Sequence, residues 1–244
     1  MSDLALQGKS ALVTGGSRRI GRAIALALAD AGADVTITYR SSRPDADETV
    51  QDIQKLGRRA QALECDVRSE AAVRDAVSAA VGLHSRLDIL VNNAAVFTVV
   101  PFDEITLEQW DAAFETNARG PFLVSREALP HLRASHGRVI NIGSLGAQRA
   151  WAGHAHYCAS KAALHMLTQA MARALAPHIA VNCVAPGWID LGASSDTAAE
   201  RFAARTPMGR NGSARDVADA VLFFAANASF ITGQILTVDG GLGL

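Results

Sequence analysis

Short apolar runs alternate with longer stretches of helical period along almost the whole chain, and this rhythm leaves few folds open. The runs at 11–14, 35–39, 60–65, 87–92, 138–142, 180–184 and 234–238 are strand-like, while 20–31, 46–56, 71–83, 107–132 and 155–176 read as helices. Strands that are apolar on both faces must be covered on both sides, and consecutive parallel strands need a helical crossover between them. The alternation therefore predicts an α/β fold, a doubly wound parallel seven-stranded sheet with helices on both faces. The 244 residues suit a single domain, 1–244, with no Pro- or Ser-rich linker to divide it. One stretch, 187–211, lacks clear periodicity around a short helical piece, and in such a fold it is expected to be a substrate lid.

Charge narrows the partners. Lys plus Arg total 23 against 24 for Asp plus Glu, a formal charge of -1, so no polyelectrolyte such as nucleic acid is indicated and the ligand should be small. The three cysteines, Cys65, Cys158 and Cys183, have no Cys-x-x-Cys spacing and are expected to be reduced core thiols, not a disulfide framework or a zinc site. The N-terminus shows no basic-then-apolar signal pattern, and no apolar run approaches the ~20 residues of a membrane span. A cytoplasmic, membrane-free protein is the expectation.

Directly after the first strand-like run comes Thr14-Gly15-Gly16-Ser17-Arg18-Arg19-Ile20-Gly21, followed by a helix. Gly15 permits a tight turn and Gly21 a close backbone approach, while the helix N-terminus offers free N–H groups and a positive dipole end to a pyrophosphate. Such a turn alone is weak evidence; its place between strand and helix strengthens it. In dinucleotide binders an acid at the end of the second strand holds the adenosine ribose, and a nearby Arg instead accommodates a 2′-phosphate. Here that strand ends in Tyr39-Arg40-Ser41-Ser42-Arg43, with no acid. Arg40 and Ser41, with Arg18 from the glycine turn, make a clamp of cations and a hydroxyl suited to a phosphomonoester, which points to NADP. Asp66, ending the third strand, is placed to accept from an adenine amino group. Its simpler role is helix capping, for which Ser69 is the better candidate. In Asn92-Asn93-Ala94-Ala95, small side chains leave room for a ribose and an amide can brace the backbone.

The chemistry is carried by Ser144, Tyr157 and Lys161. Tyr157 and Lys161 are four apart on one helix and share a face, so their heads can meet. A phenol with an ordinary pKa near ~10 is a poor acid or base at neutral pH, and a cation alongside favours the phenolate. Ser144 lies in the turn after the strand at 138–142, where its hydroxyl can hold an oxygen that exchanges a proton with Tyr157. A Tyr-Lys pair at this spacing also arises by chance. The ordered set of motifs around it is what makes it specific.

With these residues assembled, the sequence closely resembles the short-chain dehydrogenase/reductase family of the single-domain Rossmann kind. The resemblance spans essentially the whole chain: Thr14 to Gly21, Asp66, Asn92 to Ala95, Asn117 in Asn-Ala-Arg-Gly-Pro-Phe, Ser144, Tyr157-x-x-x-Lys161, Pro186-Gly187 and Val238-Asp239-Gly240-Gly241. It implies that Tyr157 protonates the substrate oxygen, Ser144 orients that oxygen, Lys161 lowers the Tyr157 pKa and holds the nicotinamide ribose, and Asn117 anchors a water chain to Lys161. It also implies a cofactor site of Gly15, Ser17, Arg18, Arg19, Ile20 and Gly21 in the turn and Tyr39, Arg40 and Ser41 after the second strand. Asp66, Val67, Asn93, Ala94 and Ala95 follow the third and fourth strands, and Pro186, Gly187 and Ile189 border the nicotinamide amide. A homotetramer packed through the helices bearing Asn117 and Tyr157 is implied as well.

The sequence departs from its commonest relatives at informative positions. Arg19 stands where most members carry a second glycine, Ala95 where Gly is usual, and Asp190 and Leu191 where a Thr commonly follows Ile189. Arg19 and the run Asn93 to Phe97 resemble pteridine reductases, whereas Ser144 fits carbonyl and alcohol chemistry, because pteridine reductases usually carry Asp there. The general likeness is to 3-oxoacyl-(acyl carrier protein) reductase-like members with a pteridine-reductase-like front half. Arg19, Phe97, Trp151 and Trp188 are the expected substrate-pocket residues. His154 and His156 flank Tyr157, but without a third ligand they are read as loop packing, and no metal is expected. The leading expectation is an NADPH-dependent reductase of a 3-oxoacyl thioester or other small ketone. A pteridine- or quinone-type reductase is the alternative, and a catalytically silent NADP-binding regulator is the rival from another class. Sugar-nucleotide epimerisation would need a larger C-terminal region than this length leaves.

Overall fold

The computed structural model of the chain describes residues 4–192, 196–226 and 230–244. Seven strands, β1 (Ser10–Val13), β2 (Asp34–Tyr39), β3 (Ala60–Glu64), β4 (Ile89–Asn92), β5 (Arg138–Ile142), β6 (Ala180–Pro186) and β7 (Ile235–Val238), form one sheet. Its order is β3-β2-β1-β4-β5-β6-β7 and every pairing is parallel. The chain reverses its direction of travel across the sheet between β1 and β4. That switch point opens a crevice at the carboxyl ends of the strands, where doubly wound folds bind ligands.

Among the described residues there are eight α-helices: α1 (Arg19–Asp30), α2 (Arg43–Lys55), α3 (Glu70–His84), α4 (Leu107–Phe114), α5 (Gly120–Ser135), α6 (Ala155–Leu175), α7 (Asp196–Arg205) and α8 (Ala214–Ala226). One core joins α1, α2 and α8 to the sheet through side chains such as Ile24, Ile53 and Val221. The other joins α3, α5 and α6 through Val77, Leu132 and Ala172. The middle strands are buried on both faces, which is why they read as continuous apolar runs and not as alternation. No helix among the described residues is long and apolar enough to cross a membrane.

Two elements differ from the sequence reading. The single helix expected over 107–132 is divided into α4, a π-helical turn at Glu115–Arg119, and α5. Gly120 opens α5 because a Cβ there would lie 2.8 Å from Val67 Cγ2, and Pro121 occupies the first turn, where its missing N–H costs nothing. The wide turn preserves helical direction while presenting Asn117 inward, a use to which π-turns are often put at functional sites. The second difference is α8, which the sequence reading omitted. It buries Val217, Val221 and Phe224 against α1 and the sheet, at roughly 1.5–3 kcal/mol of apolar transfer each. In the expected lid, α7 supplies the short helical piece, and residues 193–195 lie outside the described residues.

Candidate active site

A cleft of about 350 Å³ lies over the β1/β4 switch point. The glycine turn forms its floor. Gly15 has φ +63°, and a Cβ on Gly21 would sit 2.1 Å from the Gly15 carbonyl oxygen, so close approach of strand and helix requires glycine there. Thr14 and Asn93 fix this turn to β4. The Asn93 amide donates to the Thr14 and Gly15 carbonyls, both at 2.9 Å, and the Thr14 hydroxyl accepts from the Asn93 and Ala94 N–H groups at 3.0 and 3.1 Å. The bracing amide anticipated in the Asn92 to Ala95 run is therefore Asn93. No side chain caps the N-terminus of α1 at Arg18, which leaves its N–H groups facing the cleft for an anion.

The turn residues Gly15 and Ser17 to Gly21 line this one cleft together with Tyr39, Arg40, Ser41, Asp66, Val67 and Asn93 to Ala95. The sequence reading missed Thr38, whose hydroxyl accepts from the Gly15 N–H at 3.3 Å, and Thr116 and Leu191, which also face the cleft. Thr38 is recoverable in principle as the residue before Tyr39 in β2; Leu191 depends on how the chain leaves β6. Pro186, Gly187 and Ile189 do not line the cleft. Gly187 instead hydrogen-bonds the Val238 carbonyl, and Ile189 bridges to Gly212. Asp66 is in place, but its carboxylate accepts a fork from Arg68, at 3.0 Å from Nε and 2.6 Å from Nη2, which holds it below the usual carboxylate range. Ser69, not Asp66, caps α3 by accepting from the Ala72 N–H.

The group of Ser144, Tyr157 and Lys161 expected to carry the chemistry stands beside the cleft, where the Phe97 ring in its wall meets that of Tyr157, with ring centroids 4.8 Å apart. A buried ladder of polar side chains sets its position: Asn92 donates to Ser125 at 3.0 Å and to Asn141 at 2.8 Å, and Asn141 donates to Thr168 at 2.9 Å. Asn117 is wholly buried, and both its amide N–H groups and its amide oxygen have partners. It accepts from the Val96 N–H at 2.9 Å and donates to the Val96 carbonyl and the Ser160 hydroxyl, both at 3.0 Å. The side chain thus ties the cleft loop to α6. Ser144 accepts from the Gly146 N–H at 3.0 Å, leaving its own hydrogen to donate.

Tyr157 and Lys161 are neighbours on one helix face, as expected, but no hydrogen bond joins their heads among the described residues. Lys161 is buried, its Nζ donates to the Ile142 carbonyl at 2.7 Å, and it lies 5.9 Å from the centre of the Tyr157 ring. Burial pushes the phenol up to about 12, opposed by a hydrogen bond from Ser144; the lysine does not lower it here. Desolvation of an anion outweighs a cation whose nearest partner is another oxygen. Burial also pushes Lys161 down to about 8.

Around the phenol lies an aromatic cluster. Phe97 is 54 % exposed and stacks on His154 at 4.7 Å and 17°, and Trp151 lies parallel to Tyr157 at 6.3 Å and 14°. Trp188, expected in the pocket, stacks on Phe202 of α7 at 3.8 Å and 6°. The two histidines are packing residues: His156 pairs with the Thr98 hydroxyl at 2.7 Å and His154 Nδ1 with the Thr98 carbonyl at 3.1 Å.

A parallel doubly wound sheet, a glycine turn at its switch point, and a Ser, Tyr and Lys beside the Phe97 wall of the cleft define a nicotinamide-dependent oxidoreductase of Rossmann type. The sequence profile described as enoyl-(acyl carrier protein) reductase matches residues 15–243. The 3-oxoacyl-(acyl-carrier-protein) reductase FabG of Aquifex aeolicus is 36% identical over 98% of this chain and 99% of its own. Among solved structures, a short chain dehydrogenase from Burkholderia cenocepacia in complex with NADP is 43% identical, with a TM-score of 0.93 over 98% of this chain and 100% of that one. A short-chain dehydrogenase/reductase from Serratia marcescens is 39% identical, with a TM-score of 0.94 over the same shares. The chain belongs to the short-chain dehydrogenase/reductase family.

Proposed function

We propose that this oxidoreductase uses NADPH to reduce a carbonyl to an alcohol, with Tyr157 as proton donor. The observation that carries the reading is the adjacency of two chemistries: a cleft with cations and no acid at the end of β2, and, against the Phe97 ring in its wall, the Tyr157 phenol with Ser144 beside it. Arg40 and Ser41, with Arg18 across the cleft, suit the 2′-phosphate of NADP, and the uncapped α1 terminus suits the pyrophosphate. The Burkholderia relative, solved with NADP, supports the same choice. When bound, the nicotinamide supplies the hydride to the carbonyl carbon.

The chain's own residues manage the oxygen. A phenol held near 12 stays protonated at neutral pH and is ready to give its proton to the substrate oxygen as negative charge develops there. Ser144, whose hydroxyl hydrogen-bonds the phenol in the free protein, holds that oxygen in line with it. Lys161 remains a cation at neutral pH and is within one side-chain rearrangement of the phenol it must stabilise after transfer. The test is Tyr157→Phe. NADPH binding by fluorescence is expected to be preserved while NADPH oxidation against a panel of β-ketoacyl thioesters, ketones, quinones and pterins is nearly abolished. Near wild-type turnover by this variant would end the mechanism.

For substrate, the FabG likeness supports a 3-oxoacyl thioester or small ketone, while the exposed Phe97 ring beside Tyr157 favours a planar carbonyl as a second reading. A homotetramer is part of the proposal. Leu107 on α4 and Met166 on α6 are 81% and 65% exposed, apolar side chains that a second copy would cover.

A further inference from the structure

α6 presents Tyr157, Lys161 and His165 at intervals of four, one stripe of a single helix face. The first two belong to the chemistry above. His165 has no role in it, yet it is buried directly beneath the loop that carries Ser144. Its Nε2 faces the Ser144 backbone N–H at 3.4 Å. One turn earlier on the same helix, Lys161 Nζ donates to the Ile142 carbonyl at 2.7 Å. The loop is thus gripped on both sides of Gly143, by a donor on a carbonyl and by an acceptor on an N–H. Gly143 is the residue this grip requires, because a Cβ there would lie 2.3 Å from His165 Nε2.

We infer that His165 is a positioning residue that holds the Ser144 loop in place while Lys161 exchanges its Ile142 contact for the cofactor ribose. Lys161 is asked to do two jobs, and a lysine that leaves Ile142 releases one of the two grips on the loop. The imidazole supplies the grip that does not change. It qualifies because it stays neutral: burial and the neighbouring Lys161 cation push its pKa down to about 4, so Nε2 keeps its lone pair and the ring hydrogen sits on Nδ1. A protonated ring would have no acceptor to offer the Ser144 N–H.

The activity arm of the test rests on the carbonyl-reductase reading; the exchange arm does not. His165→Leu removes the acceptor at similar bulk. His165→Gln restores one, since its Oε1 lies the same number of bonds from Cα as the imidazole Nε2. In the full-length protein, His165→Leu is expected to speed amide hydrogen exchange of the segment 140–147 and to lower kcat about 5–10-fold, the worth of one hydrogen bond. NADPH Kd by fluorescence titration should stay within about two-fold in both variants, and His165→Gln should keep exchange and kcat near wild type. If the Leu and Gln variants behave alike, whether both normal or both impaired, the ring only fills space and the inference falls. Should His165→Leu fail to fold, His165→Gln decides: retained protection at 140–147 supports the grip, and lost protection in a protein with unchanged thermal unfolding overturns it. A wild-type protein that shows the protection but reduces no carbonyl would refute the proposed function and leave the grip standing.

Discussion

Arg19 opens α1 with φ +53°, in the left-handed region that costs an L-residue roughly 1–2 kcal/mol. Its guanidinium is exposed, faces the cleft, and makes no hydrogen bond or ion pair among the described residues. Replacing it with glycine therefore removes backbone strain without removing an internal contact. The glycine gives back about 0.5–1 kcal/mol through the greater freedom of the unfolded chain, so the net gain is about 0.5 kcal/mol. For a chain of this size that raises Tm by roughly 1–2 °C. Nucleotide binding should move the other way. An exposed cation beside a pyrophosphate contributes about 0.5–1.5 kcal/mol, so the NADPH Kd should rise roughly 2–12-fold, and less so at high salt. Thermal unfolding followed by circular dichroism without nucleotide, and fluorescence titration with NADPH, read the two effects separately. A lower Tm would show that the guanidinium supports the turn. An unchanged Kd would show that Arg19 does not meet the phosphates, and either result refutes the reasoning.

Arg40→Asp places a carboxylate where the 2′-phosphate is proposed to sit and should reverse the preference for NADPH, read as the ratio of kcat/KM with the two cofactors; a wild-type preference for NADH would remove the idea. Phe97→Ala should reduce kcat/KM for a planar carbonyl roughly 3–10-fold more than for a flexible β-ketoester, because only the flat substrate loses a stacking face. Parallel losses would make Phe97 structural. Asp216 accepts from Arg210 and Ser213, which hold its carboxyl below the ordinary range. That stability is present above the unfolded pKa and is lost as pH falls toward the folded one, so Asp216→Asn should lower Tm by roughly 2–4 °C at neutral pH, with the gap closing below about pH 4.

The sheet was legible because its middle strands are buried on both faces, and the strand runs read from sequence fall within two residues of those observed. The order of motifs along the chain was enough to bring the turn, Asp66, Asn93 and Arg40 to one cleft. What the sequence did not reveal are properties of approach. Whether Lys161 meets a phenol or a carbonyl depends on a side-chain choice between two oxygens of similar reach, and spacing along a helix cannot make it. The π-turn at Asn117 is hidden for a related reason, since a run of helix formers looks the same whether one turn closes over four residues or five. α8 was legible in principle, since Val217, Ala218, Val221, Phe224 and Ala225 recur at helical spacing and form its buried face.

The polar ladder through Asn92 and Asn141 also acts as a register lock. These residues are directly opposite each other where β4 pairs with β5, and both are buried. Apolar strands that face helices on both sides have little in their composition to oppose sliding, since a shifted valine still meets hydrocarbon. A shift of one residue would turn the two amides away from each other and from Ser125 and Thr168, stranding several buried polar groups at about 1–3 kcal/mol each. The cleft loop leaves from β4 and the Ser144 loop from β5. The offset between the cleft loop and the Ser144 loop is therefore fixed inside the sheet, by two buried amides that do not line the cleft.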